Sequence, residues 1–128
     1  MTEGSSPVVP DTQLPDVSII IVNHNGRRFL PVCLGSLKLL DYPGEKLEVI
    51  VVDNASTDDS VAYTQKEFPG VKILSLDKNY GFCKPNNDGA KAAAGQYLVI
   101  LNNDTEVNRE WLKEHKLDPE LPIESVLD

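Results

Sequence analysis

The chain has 128 residues, 41% of them hydrophobic and 25% charged, and a formal net charge of −8. This is the composition of one soluble globular domain with enough apolar surface for a real core. The acidic balance excludes a nucleic-acid partner, which needs clustered Lys and Arg, but admits a phosphorylated small ligand whose charge a metal ion and backbone amides can carry.

Residues 1–16 are rich in Gly, Ser, Pro and Thr and read as a flexible arm, because they hold too little apolar surface to offset ordering. Val17 to Val22 is β-branched and nearly all apolar, a strand buried on both faces. It ends in Asn23-His24-Asn25-Gly26, a polar turn in which Gly26 is available for positive φ. From Arg27 to Leu40, Phe29, Leu30, Cys33, Leu34, Leu37 and Leu40 recur at helical spacing, with Pro31 in the first turn.

Leu47 to Val52 is a second strand and runs into Asp53-Asn54. Ser56 and Asp59 then form a helix N-cap pair for a helix to about Phe68, stopped by Pro69-Gly70. Val71 to Leu76 is a shorter third strand, followed by the loop Asp77 to Lys84, where Phe82 is expected to pack beneath the loop. Pro85 opens a helix over 86–94, whose alanines allow close packing and whose stop is Gly95. Tyr97 to Leu101 is the fourth strand and leads into Asn102-Asn103-Asp104-Thr105. A last helix over about 108–116 has Trp111 and Leu112 as apolar contacts, and 117–128 is a tail without a clear period.

The order β-α-β-α-β-α-β with near-continuous apolar strands predicts an α/β fold. It is a Rossmann-like open, mostly parallel sheet with helices on both faces, occupying residues 17–116. Cys33 and Cys83 have neither metal spacing nor a disulfide framework and read as free thiols in a reducing compartment. No apolar run approaches the ~18 residues of a membrane span and no basic-then-apolar leader opens the chain. The expected location is the cytoplasm, with the inner face of the membrane as a peripheral setting. An open sheet edge leaves self-association available.

In such a sheet all four carboxyl ends lie on one edge, where ligands of open α/β sheets bind. They carry Asn23-His24-Asn25, Asp53-Asn54, Asp77-Lys78-Asn79 and Asn102-Asn103-Asp104. Asn102 to Thr105 has two readings: a turn held by local hydrogen bonds, or oxygen ligands for a hard cation. Acids and amides on four separate strand ends favour a polar pocket. A nucleoside diphosphate would suit it, with the base or ribose on Asp53 and the diphosphate on Mg²⁺ or Mn²⁺ anchored by Asp104.

Several segments carry a family resemblance in order. They are Val17 to Asn25, then Val51-Val52-Asp53-Asn54-Ala55-Ser56-Thr57-Asp58, then Asn79-Tyr80-Gly81-Phe82 with Asn87 and Gly89, then Ala94 to Tyr97 and Leu101-Asn102-Asn103-Asp104. Together they resemble the nucleotide-binding half of family-2 glycosyltransferases with the GT-A fold, over about 17–111. The resemblance implies inverting transfer of a sugar from a nucleotide-diphosphate donor such as a UDP- or dTDP-sugar. It implies that Asp53 contacts the base, that Val22, Asn23, His24 and Asn25 line base and ribose, and that Asn54, Asn79, Gly81, Asn87 and Asn103 belong to the nucleotide site. Asp104 matches the metal ligand, and Asn102 stands where many members carry another Asp, so one negative charge is missing. The Asn-Asn-Asp form is similar to members that build cell-surface polysaccharides.

The family's general base comes from a later acidic segment, and nothing in 117–128 matches it. The expectation is therefore a donor-binding portion that lacks the acceptor half and does not catalyse efficient transfer alone. A non-catalytic nucleotide-sugar binding module is the rival. A dinucleotide-dependent dehydrogenase lacks its Gly-x-Gly-x-x-Gly, and a phospho-acceptor signalling domain lacks an acid pair after the first strand.

Overall fold

A computed structural model describes residues 13–114 and the backbone of 125–127. The expected arm lies almost wholly outside the described residues. The elements are β1 (Val17–Asn23), α1 (Leu30–Lys38), β2 (Leu47–Asp53), α2 (Ser60–Glu67), β3 (Lys72–Ser75), α3 (Cys83–Ala92), β4 (Tyr97–Asn102), α4 (Trp111–Glu114) and β5 (Ser125–Leu127). All pairings are parallel and the strand order is β3-β2-β1-β4-β5. The expected α/β sheet is present, with β5 added by three residues of the tail. A segment that short shows no periodicity to read.

Alternation along β1 sends its side chains into two layers. Ile19 and Ile21 meet Leu30, Cys33, Leu34 and Leu37 of α1, and Trp111 and Leu112 of α4 close the same layer. Ile20 faces the other way with Ile50 and Val52, against Ala90 and Ala93 at the end of α3. Small residues bring α3 close, as expected. The tightest point is Gly89, where a Cβ would lie 2.7 Å from Ile20 Cγ2.

Three helix starts differ from expectation, the last helix beginning at Trp111 rather than at about 108. The helix after β2 begins at Ser60, and its N-cap residue Asp59 makes no side-chain capping bond. Asp58 bonds the helix start instead, its Oδ1 accepting from the Ser60 N–H at 3.0 Å. Ser56 is drawn off to the strand tips described below. The helix before β4 starts at Cys83, with Pro85 inside its first turn, and ends at Ala92.

At the amino edge of the sheet, half-buried Glu48 ties β2 to its neighbours. Its Oε1 accepts from Ser18 Oγ at 2.6 Å and from the Ala94 N–H at 2.9 Å, and its Oε2 pairs with Lys72. Burial alone would raise the Glu48 pKa. The bonds from Ala94, Lys72 and Ser18 outweigh it and hold the carboxyl below the ordinary range. A depressed folded pKa gives stability that is present above the unfolded value of about 4.3 and lost as pH falls through the folded value. Glu48→Gln is expected to lower stability by about 1–2 kcal/mol at neutral pH. The gap to wild type should close below about pH 4, as read from urea midpoints across pH.

Candidate functional site

The chain order turns round between β1 and β4: β2 and β3 extend the sheet on one side, β4 and β5 on the other. A switch point of this kind opens a crevice beyond the strand carboxyl ends. An open cleft of about 540 Å³ lies there, within the range of small-ligand sites. The β1 tip gives it Val22 and His24, and Asn54 follows from β2. The loop before α3 gives Asn79, Gly81 and Phe82, and the turn after β4 gives Asn102, Asn103 and Asp104.

Asn23, Asn25 and Asp53 stand behind this lining and build it. Asn23 is fully buried; its Nδ2 donates to Asp53 Oδ1 at 3.1 Å and to Ser56 Oγ at 3.3 Å. Its Oδ1 accepts from Asn103 Nδ2 at 2.9 Å. One amide thus joins the tips of β1, β2 and β4. Asp53, 3% exposed, accepts from Ser56 Oγ at 2.7 Å through Oδ1 and from the Ser56 N–H at 2.9 Å through Oδ2. Acceptor capacity remains on Oδ2. Asn25 Oδ1 accepts from the N–H groups of Thr57 and Asp58 at 2.7 and 3.2 Å, fastening the β2–α2 loop to the β1–α1 loop.

Positive φ in these two turns belongs to Asn25 at 52° and Ala55 at 56°, and not to Gly26 as expected. Gly26 is required for space. A Cβ there would lie 2.2 Å from Asn103 Nδ2 and 2.4 Å from Asn23 Oδ1. Gly26→Ala is therefore expected to break the Asn23–Asn103 bond and cost about 1–3 kcal/mol, measured by denaturant unfolding.

Asn54 is 2% exposed and clamps the loop before α3. Its Nδ2 donates to the Gly81 carbonyl at 2.7 Å and its Oδ1 accepts from the Tyr80 N–H at 3.0 Å. Asn79 Oδ1 accepts from the Gly81 N–H at 2.9 Å, and Gly81 sits at φ 83°. His24 Nδ1 lies 2.6 Å from the Asn54 carbonyl oxygen. A carbonyl only accepts, so Nδ1 carries the proton. Asn87 is exposed on α3, outside the cleft lining.

Phe82 departs from expectation. It is 56% exposed and forms part of the cleft wall, because α3 begins immediately after it and turns it outward. Cys33 is core, as expected; its Sγ lies 3.9 Å from the Asn102 carbonyl oxygen, under the turn after β4. Burial, and then the Asp104 charge, push its thiol up to about 11. Cys33 and Cys83 are both free.

The turn after β4 closes by a 3.1 Å bond from the Thr105 N–H to the Asn102 carbonyl. It presents exposed Asn102 and Asp104 to the cleft. Among the described residues no three His, Cys, Asp or Glu side chains gather into a metal cluster. One carboxylate and one amide oxygen are too few to hold a cation alone. They match the small protein share of a Mg²⁺ shell that phosphate oxygens and waters complete.

Residues 18–115 match the family model described as glycosyl transferase family 2. The poly(ribitol-phosphate) β-N-acetylglucosaminyltransferase TarS of Staphylococcus aureus is 32% identical over 100 residues, 76% of this chain and 18% of TarS. Glycosyltransferase AglE of Haloferax volcanii is 31% identical over 103 residues, 78% of this chain and 34% of AglE. Among solved structures, S. aureus TarS 1–349 in complex with UDP-GlcNAc superposes with a TM-score of 0.74 at 31% identity, covering 79% of this chain and 30% of that one. The Pyrobaculum calidifontis mannosyltransferase PcManGT, in complex with GDP-Man and Mn²⁺, gives 0.69 at 28% identity, covering 80% and 33%. The chain therefore spans about a fifth to a third of the length of these relatives. With the family model spanning residues 18–115 and the cleft lying at the strand ends that carry its motifs, this chain belongs to glycosyl transferase family 2.

Proposed function

We propose that this chain is the donor-binding part of a glycosyltransferase that transfers a sugar from a nucleotide-diphosphate sugar in cell-surface polysaccharide synthesis. The observation that carries the reading is the cleft at the β1–β4 switch point, with amides from the β2 tip, the loop before α3 and the turn after β4, and with Asp104 on that turn. Its two ends suit the two ends of a nucleoside diphosphate. Val22, His24, Asn54, Asn79 and Gly81 offer hydrogen-bonding groups and backbone to base and ribose, with Asn23 and Asn25 holding their loops in place. Asp53 retains one acceptor position for a ring N–H or a ribose hydroxyl. Asn87, exposed on α3 outside the cleft lining, is assigned to the nucleotide site on the family motif alone.

At the other end Asp104, with Asn102, would hold Mg²⁺ or Mn²⁺, and Asn103 fixes the turn through Asn23. The cation, once bound, neutralises charge on the diphosphate leaving group. Among the described residues Asp104 is the one carboxylate lining the cleft. The base that takes the acceptor hydroxyl proton is proposed to lie outside this described lining, and the chain alone is expected to bind donor without efficient transfer.

The free cysteines support a reducing, cytoplasmic setting. No helix among the described residues is long and apolar enough to cross a membrane. Self-association through the sheet edge draws no support from the edge strands, which have four and three residues.

The test is calorimetric titration of UDP and dTDP into the chain, with and without Mn²⁺. Metal-dependent binding of either nucleotide upholds the reading. Absence of binding by protein shown to be folded overturns it for this chain.

A further inference from the structure

We infer that Phe82 is the stacking platform for the nucleobase, the residue that gives the donor site its apolar contact. The inference rests on the donor-binding reading above. Among the described residues, Val32, Leu39 and Phe82 are the exposed large hydrophobics. Val32 on α1 and Leu39 at its C-cap lie together, beside Val107 and Arg109. Phe82 alone of them lines the cleft.

Leaving an aromatic side chain in water forgoes the stabilisation its burial would give. The exposure here is not slackness in the loop. The Phe82 carbonyl accepts from Asn86 Nδ2 at 3.1 Å and from the Asn86 N–H at 3.3 Å. Gly81, on its other side, is tied to buried Asn54 through a 2.7 Å bond. Phe82 is thus held on a fixed backbone, between the β2 tip and the start of α3, with its side chain in solvent. The rest of the lining is Val22, His24, Gly81, four asparagines and Asp104, and the His24 ring is tied to the Asn54 carbonyl through Nδ1, so Phe82 is the one large apolar side chain there. A preorganised, exposed aromatic in such a cleft is suited to a flat apolar face, and stacking is tolerant of which base supplies it. Its anchorage to Asn54, next to Asp53, puts it at the β2 end of the cleft. The Asn102–Asp104 turn stands on the other side of β1. The face it meets is therefore the base, and the diphosphate lies away from it.

The experiment compares wild type, Phe82→Ala, Phe82→Leu and Phe82→Trp by calorimetry, titrating UDP and inorganic pyrophosphate in Mn²⁺. Phe82→Ala is expected to weaken UDP about 5- to 30-fold and leave pyrophosphate unchanged, with Phe82→Trp restoring UDP affinity and Phe82→Leu falling between. Unchanged UDP affinity in Phe82→Ala, where wild type binds UDP, overturns the inference and leaves the donor-binding reading intact. Equal losses for UDP and pyrophosphate also overturn it, because they place the side chain at the diphosphate. Wild type that binds no nucleotide fails the reading itself.

Discussion

Gly95→Ala is expected to destabilise the chain by about 2–4 kcal/mol, the largest stability loss among its glycine-to-alanine changes. A Cβ at Gly95 would lie 2.6 Å from the Ser18 backbone nitrogen, 2.6 Å from Ser18 Oγ and 2.8 Å from the Val17 carbonyl carbon. Two of those atoms are backbone of β1, which pairs with β2 on one side and β4 on the other and cannot retreat from either. Ser18 is fully buried, and its Oγ accepts from the Gly95 N–H at 2.8 Å while donating to Glu48. The methyl group would break this relay as well as collide with the strand. Gly35→Ala is the control. Nothing lies within 4 Å of its Cβ, and it sits inside α1, so alanine should add about 0.5–1 kcal/mol by helix propensity. Urea unfolding of both variants checks the pair; a Gly95→Ala midpoint equal to wild type would refute the steric account.

Gly95 also shows what the sequence could and could not reveal. Its place after a run of alanines marks it as a helix stop, and α3 does end nearby, at Ala92. The reason for glycine is a contact with a residue 77 positions away, which no local pattern encodes. Gly26 is alike: in sequence it sits in a turn, and in space it admits the bond between Asn23 and Asn103. The strands were legible because β-branched apolar runs buried on both faces have few other uses. The location of the cleft followed from topology, since parallel strands put Asn23, Asp53 and Asn102 on one edge. The division of labour among the polar residues did not follow. Ser-Thr-Asp-Asp is a cap pattern, and Asp58 takes the capping bond while Ser56 goes to Asp53 and Asn25. The family resemblance puts Asn23 and Asp53 against the ligand, whereas their described side-chain bonds tie strand tips and loops together, to each other and to Ser56. Residue type predicts a hydrogen-bonding role without naming the partner.

Substitution at the turn after β4 should move function most, and in opposite directions at its two ends. Asp104→Ala is expected to weaken Mn²⁺-dependent UDP binding about 100-fold, since even outer-shell partners of a metal cost 10–100-fold when removed. Asp104 is exposed and forms no ion pair among the described residues, so its loss should leave the unfolding midpoint near wild type. Its removal should also bring the Cys33 thiol down, because the Asp104 charge adds to burial in raising it. Asn102→Asp replaces an amide oxygen with a charged one on the same exposed turn. Cation affinity rises with the charge count of the ligands, so Mn²⁺ should bind about tenfold more tightly. The cost is repulsion between the introduced carboxylate and that of Asp104 in the metal-free chain, which should appear as a small fall in stability that Mn²⁺ reverses. Calorimetry with UDP, with and without Mn²⁺, separates the two effects. If Asp104→Ala keeps its metal dependence, or Asn102→Asp leaves Mn²⁺ affinity unchanged, the cation is held elsewhere, and Asn102 to Thr105 is a turn fixed by its own hydrogen bonds.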